Sequence, residues 1–385
     1  MVWTEKSTVS LREEFVHLAR QEGVNRRALC RSFGISAKTG YKWLARAEQA
    51  AAGGELIALR DRSRRPQTSP ARSVEAVEQA VLAVRREHPA WGGRKIARRL
   101  ADLGQPGAAP STVTHILHRH GLISPDASQA ATPWQRFEHN RPNSLWQIDF
   151  KGRFATLAGP CHALTLLDDH SRFNLLLQAQ TKTDTAHVQP HLVEVFRRYG
   201  LPAQINADNG PPWGSPRSGG HSLSDMAIWL IRLGVRMSFS APYHPQTNGK
   251  LERFHRTLDV EAIAGQHFCD SAAAQRKFDD WRSVYNCQRP HEALGMQVPV
   301  QRYEPSHIGY PEALPPIEYR PTDVVTTVGW RGTFDFMGRR HCTSKSLHRL
   351  PLGIRARPLE DGVYDVYLCH QRIMRIDLNL PVVDT

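Results

Sequence analysis

Along the first third of the chain, apolar residues return at helical spacing in short groups separated by polar breaks that carry glycine. Leu11, Phe15 and Leu18 fall three or four apart, and NRRALCRSF, a Gly-Ile-Ser turn and AKTGYKWLARA follow. This periodicity predicts three short helices over residues 1–50, with Ser36 placed to accept from the first-turn amides of the third. The unit reads as a helix-turn-helix whose small core holds Leu29, Phe33, Ile35 and Leu44. Its third helix exposes Lys38, Thr39 and Lys42 to a major groove. A packing module with a solvated basic face accounts for the same pattern.

The rhythm repeats over 74–124: Val77, Val81 and Val84, then HPAWGGRKIARRLADLG with Ile96 and Leu100, then STVTHILHRHGLI, capped by Ser111 and stopped by Gly121. Arg94, Lys95, Thr112 and His115 are the candidate DNA contacts of this second helix-turn-helix-like unit. The competing reading makes Trp91 plain core and Arg94, Lys95, Arg98 and Arg99 a solvated stripe. Residues 51–73 and 125–142 break the periodicity and read as linkers. The first is rich in Arg, Ser, Pro and Gly, and its Arg62, Arg64 and Arg65 suit a nucleic-acid backbone.

From 143 to 300 the period changes. LWQIDFKG, CHALTLLDDHSR and FNLLLQAQ read as strands, TAHVQPHLVEVFRRYG as a helix and PAQINADNG as a fourth strand. The helix LSDMAIWLIRLG, the strand VRMSFSAP and the helix AAAQRKFDDWRSVYNCQ complete the run. That order is the one of an RNase H-like α/β core with a mixed five-stranded sheet. PPWGSPRSGGHSLSD reads as a loop. After a linker at 301–318, the short apolar runs of 319–385, punctuated by Gly, Pro and Asp-Gly, suggest a small all-β barrel. The fold class expected is multidomain: helix-turn-helix modules, an α/β core and a terminal barrel.

Charge adds a partner. The net charge is +13 and the sequence pI about 9.8, with nine of the thirteen excess positive charges in the first 140 positions. A front-loaded basic chain points to nucleic acid. The N-terminus lacks the apolar stretch of a signal, and no uncharged run approaches membrane length, so a cytoplasmic protein that makes no use of a membrane is expected. Six cysteines, at 30, 161, 269, 287, 342 and 369, form no Cys-x-x-Cys. They argue against a disulfide framework and a zinc ribbon.

Three carboxylates stand where strands or helices begin or end. Asp149 lies in the apolar strand LWQIDF, where an unpartnered charge is costly. Asp208 closes INAD just before Asn209-Gly210, and Glu252 lies in the first turns of the helix that follows SAPYHPQTNG. Singly, each has an ordinary explanation: a bonded strand Asp, an Asx-turn Asp and a Glu suited to a helix start. Together they fit a two-metal phosphoryl-transfer site, because hard carboxylate oxygens suit Mg2+ and two ions about 4 Å apart serve an in-line displacement. Asn248, Glu252, His255 and Arg256 share one helix face, while Leu251, Phe254 and Leu258 form an apolar stripe. Asn248, Lys250, Arg253 and Arg256 are the candidate phosphate contacts around the carboxylate.

The motifs LWQIDFKG, LTLLDDHSRF, INADNGPPW and APYHPQTNGKLERFHRTL, with YNCQRPHEALG downstream, resemble those of bacterial insertion-sequence transposases whose core is similar to retroviral integrases. The resemblance covers roughly residues 5–300. It implies that Asp149, Asp208 and Glu252 are the catalytic triad and metal ligands, holding two Mg2+ ions for which Mn2+ substitutes, and that Asp168 and Asp169 are structural. The 44 positions from Asp208 to Glu252 exceed the retroviral spacing, which the predicted loop can absorb.

The function implied is a transposase. It would bind the terminal inverted repeats of a mobile element in double-stranded DNA, cleave at 3′ ends and join them to target DNA by direct transesterification. It would act as a dimer or tetramer on DNA, associated with the bacterial nucleoid. A DNA-binding regulator with an inactive core and a nuclease that does not join strands are the alternatives.

Overall fold

The computed structural model describes residues 7–53, 59–61, 72–105, 107–123, 139–217, 220–240 and 249–380. The chain divides into two compact units, Met1–Arg72 and Ser73–Thr385.

The first unit holds α1 (Thr8–Ala19), α2 (Arg26–Ser32) and α3 (Ala37–Gly53). Each begins at a side-chain cap: Ser7 accepts from Ser10 N, Asn25 from Ala28 N, and Ser36 from Thr39 N. Phe15, Val16, Cys30, Trp43 and Leu44 are buried between them, and Leu29, Phe33 and Ile35 pack around that core. Gly40 is needed at the crossing, because a Cβ there would lie 2.4 Å from Cys30 Sγ.

The second unit opens with α4 (Glu75–Glu87), α5 (Gly93–Asp102) and α6 (Pro110–Arg119), closed around Val81, Trp91, Ile96, Leu100, Val113 and Leu117. Here too a glycine allows close approach: a Cβ on Gly93 would lie 2.2 Å from Thr114 Oγ1. Ser111 does not cap α6 as the sequence suggested. Pro110 takes the first helical position, where its missing N–H costs nothing, and Ala109 precedes it without a side-chain cap bond.

The core comprises β1 (Trp146–Thr156), β2 (Gly159–Asp168), β3 (Asn174–Gln180), α7 (Thr185–Tyr199), β4 (Gln204–Ala207), β5 (Gly214–Arg217), β6 (Gly220–Leu223), α8 (Asp225–Arg232), β7 (Arg236–Phe239), α9 (Gly249–Leu258) and α10 (Ser271–Cys287). Five strands form one mixed sheet in the order β3-β2-β1-β4-β7, with β1–β4 and β4–β7 parallel and the others antiparallel. Both faces are covered, which explains the near-continuous apolar runs. Leu164 and Leu166 pack toward α7 and α8, while Ala163 and Leu167 pack toward α9 and α10, as the two-residue period of a strand requires. The segment expected to be a loop after Asp208 contains the hairpin β5–β6. Trp213, fully buried beside it, anchors the segment to the core.

The last strands, β8 (Val324–Thr327), β9 (Thr333–Phe336), β10 (Arg339–Cys342), β11 (Pro351–Ala356), β12 (Val363–Leu368) and β13 (Gln371–Asp377), form no closed barrel among the described residues. They make an open antiparallel sheet, β13-β12-β11-β8, and a separate ribbon, β9–β10. The apolar face that a barrel would bury inside itself is buried against the core: Leu352, Ile354, Val366 and Leu368 join one cluster with Ile228 and Ile231 of α8. Ser344 Oγ donates to Leu223 O at 2.7 Å across this junction. No helix among the described residues is long and apolar enough to cross a membrane.

Candidate active site

The parallel pairing of β1 with β4 sets the site. Trp146 opposes Ile205 and Gln147 opposes Asn206. Continued by two residues, that register brings Asp149 opposite Asp208, where β4 has ended and the chain turns. Phe150 N donates to Asp149 Oδ1 at 2.7 Å, and Gly210 N donates to Asp208 Oδ1 at 3.1 Å. The second oxygen of each carboxylate accepts no hydrogen bond among the described residues. Burial, reinforced by the charge of Asp208 and then of Glu252, pushes the Asp149 carboxyl up to about 6 against the opposing bond from Phe150. Burial likewise raises Asp208. The charges of Asp208 and Glu252 thus both reach Asp149, whereas Asp208 is raised by burial alone.

Glu252 comes from α9, which lies on the other face of the sheet with Leu251, Phe254 and Leu258 buried. Each such side chain contributes roughly 1.5–3 kcal/mol by leaving water. Glu252, Arg253 and Arg256 are exposed. His255, by contrast, turns inward: its Nε2 lies 2.8 Å from Thr165 Oγ1, which donates to Asp149 O at 2.9 Å. With the hydroxyl hydrogen committed to Asp149, Nε2 must be the donor to Thr165. Burial, with Lys151 nearby, lowers His255 to about 4, so the ring is neutral at physiological pH. Thr165 was missed from the sequence, although the strand pattern that pairs β2 with β1 places it opposite Asp149.

Asp168 and Asp169 are buried and bonded. Asp168 accepts from Asn143 N, Ser171 N and Ser171 Oγ, and Asp169 from His139 N, Gln147 Nε2 and Lys250 Nζ. Among the described residues, no group of three or more His, Cys, Asp or Glu side chains is arranged to hold a metal ion. The donor set nonetheless fits a divalent cation of the Mg2+ class, which binds through one or two carboxylates and completes its shell with water and phosphate.

The candidate DNA contacts separate into groups. Lys38 and Lys42 are exposed on α3, Lys42 Nζ lying 5.3 Å from the Trp43 ring centroid, while Thr39 is drawn into the Ser36 cap. His115 is exposed and Thr112 half-buried on α6. Arg94 pairs with Glu292 at 3.6 Å, and Lys95 faces Arg289, Glu261 and Glu292, its amine lowered to about 8 by burial first and by Arg289 next. These two residues of α5 therefore meet the core. Lys250 is engaged by Asp169. Arg62, Arg64, Arg65 and Asn248 lie outside the described residues.

Comparison with known proteins agrees with this architecture. The integrase core domain family matches residues 139–245 and again 233–299, and a homeodomain-like domain family matches 39–117. The Gag-Pol polyprotein of Baboon endogenous virus (strain M7) is 35% identical over 32% of this chain and 7% of its own length. The insertion element IS476 uncharacterized 39.2 kDa protein of Xanthomonas euvesicatoria is 27% identical over 42% of this chain and 44% of its own. The chain thus spans less than half the length of either relative. The simian T-cell lymphotropic virus intasome in complex with PP2A regulatory subunit B56 gamma aligns over 78% of this chain and 97% of that one, at 16% identity and a TM-score of 0.36, a likeness too weak to carry inference. Over residues 139–299 the chain is thus similar to the integrase core domain family, which a bacterial insertion-element protein and retroviral polyproteins also resemble in sequence.

Proposed function

We propose that the protein is a DNA transposase that recognises the ends of a mobile element through its helical modules, cleaves the element's 3′ ends and transfers them to target DNA. The observation that carries this reading is the β1–β4 register, which, continued two residues past its last pair, would set Asp149 beside Asp208, with Glu252 acting electrostatically on Asp149. Asp149, Asp208 and Glu252 would hold two Mg2+ ions, with Mn2+ able to substitute. Bound there, such ions supply Lewis acidity at a scissile phosphodiester and charge stabilisation of its leaving oxygen.

The protein's own groups do the rest. Arg253 and Arg256, exposed beside Glu252, meet phosphate charge. His255 stays neutral and, through Thr165, steadies the backbone of Asp149. Water attacks first, and the freed 3′-hydroxyl then attacks target DNA, so no covalent protein intermediate is required. Lys38, Thr39 and Lys42 with Thr112 and His115 form the recognition surfaces, and joining two ends calls for a dimer or tetramer on DNA.

The test is cleavage and joining of labelled duplexes taken from the DNA flanking the coding sequence, with Mg2+, by wild type and Glu252→Gln. Cutting and joining by the wild type alone, with equal binding by both, supports the reading. Cutting without joining reduces the protein to a nuclease, and binding without either reaction reduces it to a regulator.

A further inference from the structure

Glu252 sits in the first turn of α9, the end of a helix that frays most readily. Downstream of it, the chain is tied to the core by His255 to Thr165, by Asp259 to Lys151 at 2.9 Å and by Glu261 to Arg289 at 3.0 Å. Upstream, the polar tie among the described residues is that of Lys250, whose Nζ reaches Asp169 Oδ2 at 2.5 Å and Asp169 O at 3.3 Å. The carboxylate it meets is only 3% exposed and is held by His139 N and Gln147 Nε2, each at 3.0 Å. Gln147 precedes Asp149 by two residues on β1. Lys250 therefore references the Glu252 helix to the strand that bears Asp149.

At about 100° per residue, Leu251, Phe254 and Leu258 gather on one side of α9. Lys250 borders that stripe on one flank and His255 on the other, and Glu252 lies just beyond His255, toward Asp149. Apolar packing is non-directional and leaves a helix free to roll. Two polar anchors on opposite flanks remove that freedom. We propose that Lys250 is a positioning residue of the candidate site: with Asp169 it sets the roll of the first turn of α9, so that Glu252 faces Asp149 and Asp208, and its ammonium serves the protein instead of DNA phosphate. The proposal rests on the reading that those carboxylates hold a divalent cation.

The experiment compares the full chain with Lys250→Met, Lys250→Arg and Asp149→Asn by Mn2+ titration, by binding of a random-sequence duplex against salt, and by amide hydrogen exchange over 249–258. The expected result for Lys250→Met is Mn2+ affinity lowered about 10–100-fold, as for other loss of support behind a ligand. Its duplex salt slope should equal that of wild type, and Lys250→Arg should recover most of the metal affinity. A slope reduced by about 0.9, the signature of one lost phosphate contact, with unchanged Mn2+ affinity overturns the proposal. If the wild type has no Mn2+ site that Asp149→Asn removes, the cation reading fails separately. Amide exchange then decides the anchoring, which faster exchange in Lys250→Met than in Lys250→Arg supports and equal exchange refutes. Lys250→Gln, which keeps a donor, replaces the Met variant if that does not fold.

Discussion

Arg99 of α5 donates from Nη2 to Gln288 Oε1, just past the end of α10, at 2.8 Å, joining the second helical module to the α/β core across 189 positions of sequence. Arg94 and Lys95 flank the same contact. Arg99 and Lys95 of a helix whose basic residues invite assignment to DNA are thus turned to protein, while Arg94 stays largely exposed and the His115 face of α6 is open to solvent.

Lys95→Met should therefore leave the salt slope of duplex binding unchanged, whereas Lys38→Ala and Lys42→Ala lower it. The same substitution should stabilise the fold. The Lys95 amine titrates at about 8 in the folded chain, below its ordinary 10.5, so its charge opposes folding. That cost is fully present below pH 8 and disappears as pH rises toward 10.5. Thermal denaturation of wild type and variant at pH 7 and pH 10 should show a gap that narrows with rising pH.

Asp149→Asn should raise stability in metal-free buffer. The Asp149 carboxyl titrates at about 6, above its ordinary 3.8, because burial and the neighbouring carboxylates oppose its charge. A raised carboxyl makes the folded state hold its proton longer, so wild-type stability falls as pH rises from about 4 to 6 and then stays level. The displacement corresponds to roughly 2–3 kcal/mol. Denaturant unfolding should find the Asn variant ahead at pH 7.5 and level with wild type near pH 4. A constant gap would mean that the carboxylate carries no such penalty.

Arg289 and Glu261 are 9% and 10% exposed and meet through two guanidinium nitrogens, with Trp281 Nε1 also donating to the carboxylate. Arg289→Met strands that carboxylate beneath α5 and should cost about 3–5 kcal/mol. Glu261→Gln, which keeps an acceptor for Trp281, should cost less than the Met variant, and calorimetry can rank the two.

Gly93→Ala should destabilise the second helical module by about 1–3 kcal/mol, because its methyl would press on Thr114 and on the Pro110 carbonyl. Gly107→Ala, where a Cβ meets nothing within 4 Å, is the control and should be nearly neutral. Equal melting temperatures for both variants would show that the α5–α6 crossing is looser than drawn.

What the sequence determined by itself is what depends on local periodicity. The helices of both modules, the alternation that buries both faces of β1 and β2, and the order of strands and helices in the core follow from spacings of two or of three to four residues. Asp149, Asp208 and Glu252 could be singled out because each stands where such a pattern ends. What only the tertiary structure decided depends on partners far apart in the chain. Lys250 meets Asp169 across 81 positions, and Lys95 turns to Glu261 and Arg289. The hairpin β5–β6 forms where Gly, Pro and Ser hid any alternation, with buried Trp213 anchoring the segment. The terminal strands stay open because α8 already covers the face that closure would have buried. A cation's local sequence is the same whether it ends on a phosphate or on a buried carboxylate, and only the fold that brings the carboxylate within reach separates the two.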